Sequence, residues 1–167
     1  MIREQLEQES ATWRGLGANP GAWIMQEFIV RNGQEAAGRP RPSRYRRDKP
    51  KLCFANSARL VARSLGRLRY VEGFALDRNI GFAFHHGWAI EHDDAVVEVT
   101  LRNPEDYEYC GVIIPQTDYR THTTRTHRCV LDTGRGINIL YMLVRDPALA
   151  EMLPARMRQR LQETAAA

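Results

Sequence analysis

No apolar run in this sequence approaches the ~20 residues that a helix needs to cross a bilayer. The first residues, MIREQLEQESATW, carry three glutamates and lack the apolar stretch and small-residue cleavage site of a secretory signal. The sequence therefore predicts a cytoplasmic protein without a membrane partner.

Cysteine is scarce and odd in number, with only Cys53, Cys110 and Cys129 in 167 residues. A chain of this length can bury a core without disulfides or a structural metal, so we expect reduced thiols. Any of the three could be a nucleophile. One domain over residues 1–167 is expected, and neither a cofactor nor a metal is needed for it.

Positive charge is in modest excess, with a formal net charge of +4, and it is concentrated in residues 39–51 and 120–135. Such clusters can bind phosphates or acidic proteins. They lack the regular aromatic interleaving of a single-strand binder and match no DNA-reading motif. A solvated basic rim is the simpler interpretation, and a nucleic-acid or acidic-protein partner at residues 39–51 is the alternative.

Apolar spacing predicts two helical pieces in the first 32 residues, joined by a turn at GANPG. Residues 33–50 are rich in Gly, Pro and Arg and predict an extended loop that completes an N-terminal region, residues 1–49. Residues 114–167 are expected to form a polar loop and C-terminal helices, with 137–144 open to either strand or helix.

The middle region, residues 50–113, predicts one helix followed by a sheet. Asp48 is a candidate cap, Pro50 suits the first turn and Gly66 suits the end, which places Cys53 in the first helical turn. Short aromatic and β-branched segments then predict a largely antiparallel sheet, hence an α+β fold. These segments are residues 67–76, 82–91, 95–101 and 109–115.

A thiol at a helix N-terminus is favoured as a thiolate by unpaired N–H groups and the helix dipole. Catalysis also requires an imidazole and a group that orients it, for which His86 and Glu98 are candidates. A two-residue turn at Asp93-Asp94 would put these two on opposite faces of the sheet. An odd loop centred on His92 would place them directly opposite each other on one face.

Three further residues have candidate roles in binding or in the oxyanion site. Asn56 could hold the loop before the helix or donate to an oxyanion, although the backbone N–H of Cys53 is the commoner donor. Trp88 could shield the imidazole or pack in the core. Glu72 could pair with an arginine, or it could be the acid if Glu98 points away. His85 is expected on the other face from His86.

The strings C-x-x-N, YVEGFA, HHGWAI, VVEVT and YCGV follow one another across residues 53–112. Their order resembles an uncharacterised group of bacterial and phage proteins with C-x-x-N-A, YVEGYA, HHAWVV, VIDPT and YFGV. That group is similar to papain-like cysteine proteinases and transglutaminase-like proteins. The resemblance implies that fold, with Cys53 as nucleophile, His86 as base and Glu98 as orienting acid. The chain departs from the group by having Glu98 for Asp and Val99 for Pro.

A zinc site is the competing chemistry, with Cys110, His122, His127 and Cys129 as potential ligands. Their spacing lacks the paired C-x-x-C or H-x3-H pattern of tetrahedral zinc sites, so no metal is predicted. We expect thiol-dependent acyl chemistry on a protein, peptide or other amide substrate. The alternative is a non-catalytic binding module that uses residues 39–51.

Overall fold

The computed structural model describes residues 1–120, 129–132 and 138–165, which form an α+β fold, as predicted. The helices are α1 Ile2–Gly15, α2 Ile24–Asn32, α3 Cys53–Arg63, α4 Ile139–Arg145 and α5 Ala155–Ala165. The strands are β1 Gln34–Ala37, β2 Arg69–Asp77, β3 Phe82–Ile90, β4 Val96–Val97 and β5 Tyr107–Ile113. Short 3-10 turns lie at Pro20–Ala22, Pro104–Asp106 and Pro147–Met152, and residues 116–120 are helical.

The five strands form one antiparallel sheet in the order β1-β5-β2-β3-β4. The loop predicted over residues 33–50 is therefore wrong at Gln34–Ala37, which pairs with β5 as an edge strand. This strand is mostly exposed and contains no β-branched residue, so its sequence gives no strand signal.

Both faces of the sheet are covered, and the central strand β2 is buried along almost its whole length. One face packs against the helices through residues that include Ile24, Phe28 and Ile29 of α2. The N-terminal pieces are thus helical, as predicted. The other face carries a smaller aromatic cluster that includes Trp88 and Tyr109. His85 and His86, which are neighbours on β3, therefore have different surroundings.

Helix α3 begins at Cys53, later than the predicted capping at Asp48. The chain turns first at Lys51, whose φ is 63°, and Leu52 is the residue before the helix. Asp48 accepts the N–H of Lys49 instead of capping α3, and Pro50 lies in the turn outside the helix. The predicted end is correct, because Gly66 adopts a left-handed φ of 83° just past the helix.

The β3–β4 connection has the odd parity that the catalytic interpretation requires. Ile90 pairs with Val96, and the N–H of Glu91 donates to the carbonyl of Ala95, so the loop is centred on Asp93. The predicted centre at His92 is wrong by one residue. His86 and Glu98 are consequently not directly opposite, and the pairing with β3 ends at Val97, one residue before Glu98.

Two other boundaries differ from the prediction. The strand predicted over residues 95–101 is only Val96–Val97, because the chain beyond it makes other hydrogen bonds, described below. Of the ambiguous run 137–144, residues 139–144 are helical, and the Asn138 side chain accepts the N–H of Tyr141 at the start of the helix. The loop predicted over residues 116–128 is helical at 116–120, and its remainder lies outside the described residues. Among the described helices, none has the length and apolarity that a membrane span requires.

Candidate active site

Cys53 is the first residue of α3 and is half-buried. The helix is positioned by Gly87 of β3, where an added Cβ would lie only 2.7 Å from the Phe54 ring. Ser57, one turn into the helix, donates its hydroxyl to the Gly87 carbonyl at 2.9 Å. Glycine at this position thus lets α3 approach the strand closely, with Cys53 next to His86.

The His86 imidazole connects the thiol to a buried acid. Its Nε2 lies 2.6 Å from the Glu98 carboxylate, and the side chain is 2% exposed. The Cys53 thiol lies beside the same ring, close enough that the two groups shift each other's pKa. Because Nε2 is occupied by Glu98, Nδ1 is the nitrogen left for the sulfur. The ring is stacked parallel to Trp88, with 6.4 Å between centroids, and meets the edge of Phe84.

Glu98 is held by its own segment as well as by His86. Its second oxygen accepts the backbone N–H groups of Thr100 and Leu101, and the residue is 1% exposed. All the hydrogen bonds described for the carboxylate thus favour its ionised form, and none of them comes from a strand partner.

Three arginines of residues 39–51, here called the basic loop, bind the backbone carbonyls around Glu98. Arg41 donates to the carbonyls of Glu98, at 2.6 Å, and Leu101. Arg39 donates to Val96 at 3.0 Å, and Arg47 donates to Thr100 at 3.1 Å. These contacts take the place of strand pairing beyond Val97, so the loop fixes the segment that carries the acid.

Asn56 closes the network between the nucleophile helix and the acid. Its side-chain NH2 donates to the Lys49 carbonyl at 2.7 Å and to the Thr100 hydroxyl at 3.0 Å. Of its two predicted roles, the contacts match the holding of the loop before α3. Both amide hydrogens are engaged, so the backbone N–H of Cys53 is the available oxyanion donor.

The charged forms of Cys53, His86 and Glu98 stabilise one another against the effect of burial. Burial raises the pKa of Cys53, but the hydrogen bond and charge of His86, with N–H groups of Gly87 and Phe54, bring that pKa below its ordinary value. Burial lowers the pKa of His86, but Glu98 and Cys53 raise it to about 10. Burial likewise opposes ionisation of Glu98, and His86 holds its pKa low. Together these shifts favour a thiolate beside an imidazolium over a neutral thiol beside a neutral imidazole.

Glu72 lies apart from this group, on the face that packs against the helices. It accepts the Tyr70 hydroxyl at 2.8 Å and the backbone N–H groups of Val130 and Leu131. Both roles considered for it, an arginine pair and the acid for His86, differ from these contacts. Burial raises the pKa of Glu72 to about 7, while the N–H groups oppose the increase.

Trp88 packs in the aromatic cluster, which matches one of its two considered roles, and its ring lies parallel to the imidazole of His86. His85 faces the other way, as expected, and contacts Phe54 and Phe74. All three thiols are free. Of the zinc ligands considered above, His122 and His127 lie outside the described residues, and Cys110 is buried in β5.

Sequence reasoning missed Thr100 and the carbonyl-binding arginines. The Thr100 contact had no sequence signal, because a bond to the N–H two residues on is typical of Asp and Asn, whereas residue 98 is Glu. The arginines had none either, because their acceptors are main-chain carbonyls that no side-chain pattern reveals. No protein-family model, curated protein or solved structure matches this chain. Its function is therefore inferred from the geometry of the site.

Proposed function

We propose that this protein is a thiol-dependent acyl-transfer enzyme that acts on an amide and has a papain-like or transglutaminase-like fold. One observation carries the proposal: a single buried imidazole is hydrogen-bonded to Glu98 and lies beside Cys53, and the imidazole and the thiol shift each other's pKa. A nucleophile, a proton carrier and an orienting acid in contact are the arrangement that acyl transfer requires.

In the proposed reaction the Cys53 thiolate attacks the amide carbonyl carbon, forming a C–S bond and placing the electron pair on oxygen. The backbone N–H at the start of α3 stabilises that oxyanion. The carbonyl re-forms as the C–N bond breaks, and the His86 imidazolium gives its proton to the departing amine. Glu98 keeps the ring oriented and stabilises its positive charge.

The second half of the reaction restores the thiolate. Water or an amine attacks the thioester, neutral His86 takes the proton of the attacking group, and the C–S bond breaks. Peptidase, amidase and transglutaminase chemistry differ only in the entering amide and the resolving nucleophile. A reactive thiolate persists best in a reducing compartment, so we place the activity in the cytoplasm.

The proposal is tested by trapping the acyl-enzyme. The protein is incubated with a panel of N-acyl amino acid p-nitroanilides, quenched in acid and mapped by mass spectrometry. We expect an acyl group on Cys53 in the wild type, at most a trace in His86→Ala, and faster turnover with added amine if the enzyme is a transferase. Acylation that is absent across the panel, or equal in His86→Ala, contradicts the proposal.

A second candidate, a non-catalytic binding module, is favoured by one observation. A cavity of about 240 Å³ beside α3 is lined by five arginines: Arg44, Arg46, Arg47, Arg59 and Arg63. Such a cavity suits phosphates of a nucleic acid or carboxylates of an acidic protein. This candidate predicts salt-sensitive binding of an oligonucleotide or of polyglutamate that is retained in Cys53→Ala and lost in Arg46→Glu. Binding of neither polymer at low salt contradicts it.

A further inference from the structure

We propose a second site, a zinc site formed by Glu72, His85 and Cys129 on the sheet face opposite His86. One potential ligand atom from each residue lies within 4.8 Å of the other two. The three come from β2, β3 and the 129–132 segment, so a bound ion would fasten that segment to the sheet. None of the three belongs to the Cys53–His86–Glu98 group.

Glu72 has coordinating capacity left. An ionised carboxylate offers about four lone-pair positions. Three donors occupy them here, namely the Tyr70 hydroxyl and the N–H groups of Val130 and Leu131, with Val130 shared between the two oxygens. The N–H of Val130 can keep one of its two bonds, so a cation could take the position that it now shares, and the other bonds would orient the carboxylate as outer-shell partners do in metal sites.

The Cys129 sulfur is already set in a backbone turn that suits a metal thiolate. The N–H of Asp132 donates to the sulfur at 3.2 Å, and the thiol donates to the Asp132 carbonyl at 2.9 Å. Zinc binding would replace the S–H bond by an S–Zn bond and release the proton to solvent. The N–H bond from Asp132 would remain and stabilise the thiolate.

His85 has a buried polar atom whose hydrogen bonding the described protein contacts do not explain. Its Nε2 is buried and has no hydrogen-bond partner among the described residues, and Nδ1 approaches only the Cys129 sulfur, at 4.0 Å. A buried polar atom normally has a hydrogen-bond partner. Coordination of a metal ion through Nε2 would give this nitrogen the partner that it lacks.

The donor set selects the class of metal. One thiolate, one imidazole and one carboxylate suit Zn²⁺, which takes sulfur, nitrogen and oxygen ligands, better than Mg²⁺ or Ca²⁺, which prefer oxygen alone. Three protein ligands leave a fourth tetrahedral position to water. We assign the ion the structural role of holding residues 129–132 against β2 and β3.

The test is a Co²⁺ titration of the full-length, chelator-treated protein, because cobalt bound to a thiolate gives a near-ultraviolet charge-transfer band. We expect about one equivalent per chain, in keeping with a single three-ligand site, and displacement of the band by Zn²⁺. In Cys129→Ser the band should disappear. In His85→Gln affinity should fall by more than about 100-fold, beyond the loss seen for outer-shell partners.

Two matched variants identify the thiolate that produces the band. Cys53→Ser removes the other Cys–His pair and Cys110→Ser removes the remaining thiol, and we expect both to bind cobalt as the wild type does. Circular dichroism of each variant verifies its fold. The proposal is overturned if the wild type gives no band, or if the band is lost in Cys53→Ser or Cys110→Ser and kept in Cys129→Ser.

Discussion

The molecule holds two groups of one cysteine, one histidine and one glutamate, formed around adjacent histidines of one strand. In the first, Glu98 contacts His86 directly, and the ring lies beside Cys53. In the second, Glu72 accepts hydrogen bonds from Tyr70 and two backbone N–H groups, and the ring of His85 makes a long polar contact to the Cys129 thiol. The residue types are the same, and the contacts differ.

The difference in contacts reverses the direction in which the pKa values of the histidine and the cysteine shift. Burial alone lowers the pKa of a histidine and raises that of a thiol. For His85 burial prevails, and its pKa falls to about 4; burial likewise raises the pKa of Cys129 far above that of a free thiol. For His86 the charge of Glu98 overcomes burial. A thiolate–imidazolium pair thus depends on whether the carboxylate contacts the imidazole directly.

The largest effect that separates the two groups is their reactivity with iodoacetamide. At neutral pH, with chelator present, we expect Cys53 to be carbamidomethylated at least about 10³-fold faster than Cys129, because only the thiolate reacts. Mass spectrometry of peptides over a time course measures both rates in one sample. Comparable rates for the two cysteines in the folded protein would remove the distinction between the groups.

The next effect concerns the acid. Glu98→Gln keeps the size of the side chain but removes its charge, so the pKa of His86 should fall and that of Cys53 should rise. At mildly acidic pH, Cys53 labelling should slow by about 10–100-fold, since that much thiolate is lost. Glu105→Gln, at an exposed carboxylate, is the matched control. Equal labelling of Glu98→Gln and the control would contradict the assignment of the acid.

In the second group we expect an effect on stability. Glu72→Gln would set an NH2 against the N–H groups of Val130 and Leu131, at a cost of about 2 kcal/mol. The pKa of Glu72 is raised to about 7 from an unfolded value near 4.3, so the folded state retains its proton more strongly. Its contribution to stability is therefore complete below about pH 4 and lost as the pH rises towards 7.

Urea unfolding of the metal-free protein at several pH values measures this contribution. The free energy of unfolding should decline between about pH 4 and 7 in the wild type and decline less in Glu72→Gln, because the amide does not titrate. A stability that rises equally in both proteins over this range would show that the carboxylate is ionised throughout.

The smallest effect is expected at the arginines that hold the acid segment. Arg41→Lys keeps the charge but loses the forked contact with the carbonyls of Glu98 and Leu101, so Cys53 labelling at mildly acidic pH should slow by about threefold. Arg46→Lys, in the same loop, should leave the rate unchanged. Identical rates in both variants would mean that the loop does not position the acid.

The sequence was sufficient for the chain order of the site and for much of the fold. The helical spacing put Cys53 in the first turn of α3, and alternation in β3 put His85 and His86 on opposite faces. These features depend on local periodicity, which a single sequence contains. The odd parity of the hairpin was one of two alternatives that the sequence left open.

The remainder depends on tertiary contacts that a single sequence does not display. The loop centre at Asp93, the early end of β4 and the pairing of β1 are decided by hydrogen bonds between distant segments. Glu72 was assigned to an arginine or to His86, whereas its partners are main-chain groups 58 and 59 residues away. Backbone partners leave no trace in a side-chain pattern.

The most direct test is the pH dependence of iodoacetamide labelling at Cys53 in the wild type and in His86→Ala. In the wild type we expect the labelling midpoint to lie below the ordinary thiol pKa of about 8.5. Labelling should therefore persist into mildly acidic pH and fall as Cys53 takes a proton. In His86→Ala the midpoint should return to about 8.5 or exceed it, because burial remains without the cation. Midpoints that coincide in the two proteins would contradict a thiolate–imidazolium pair.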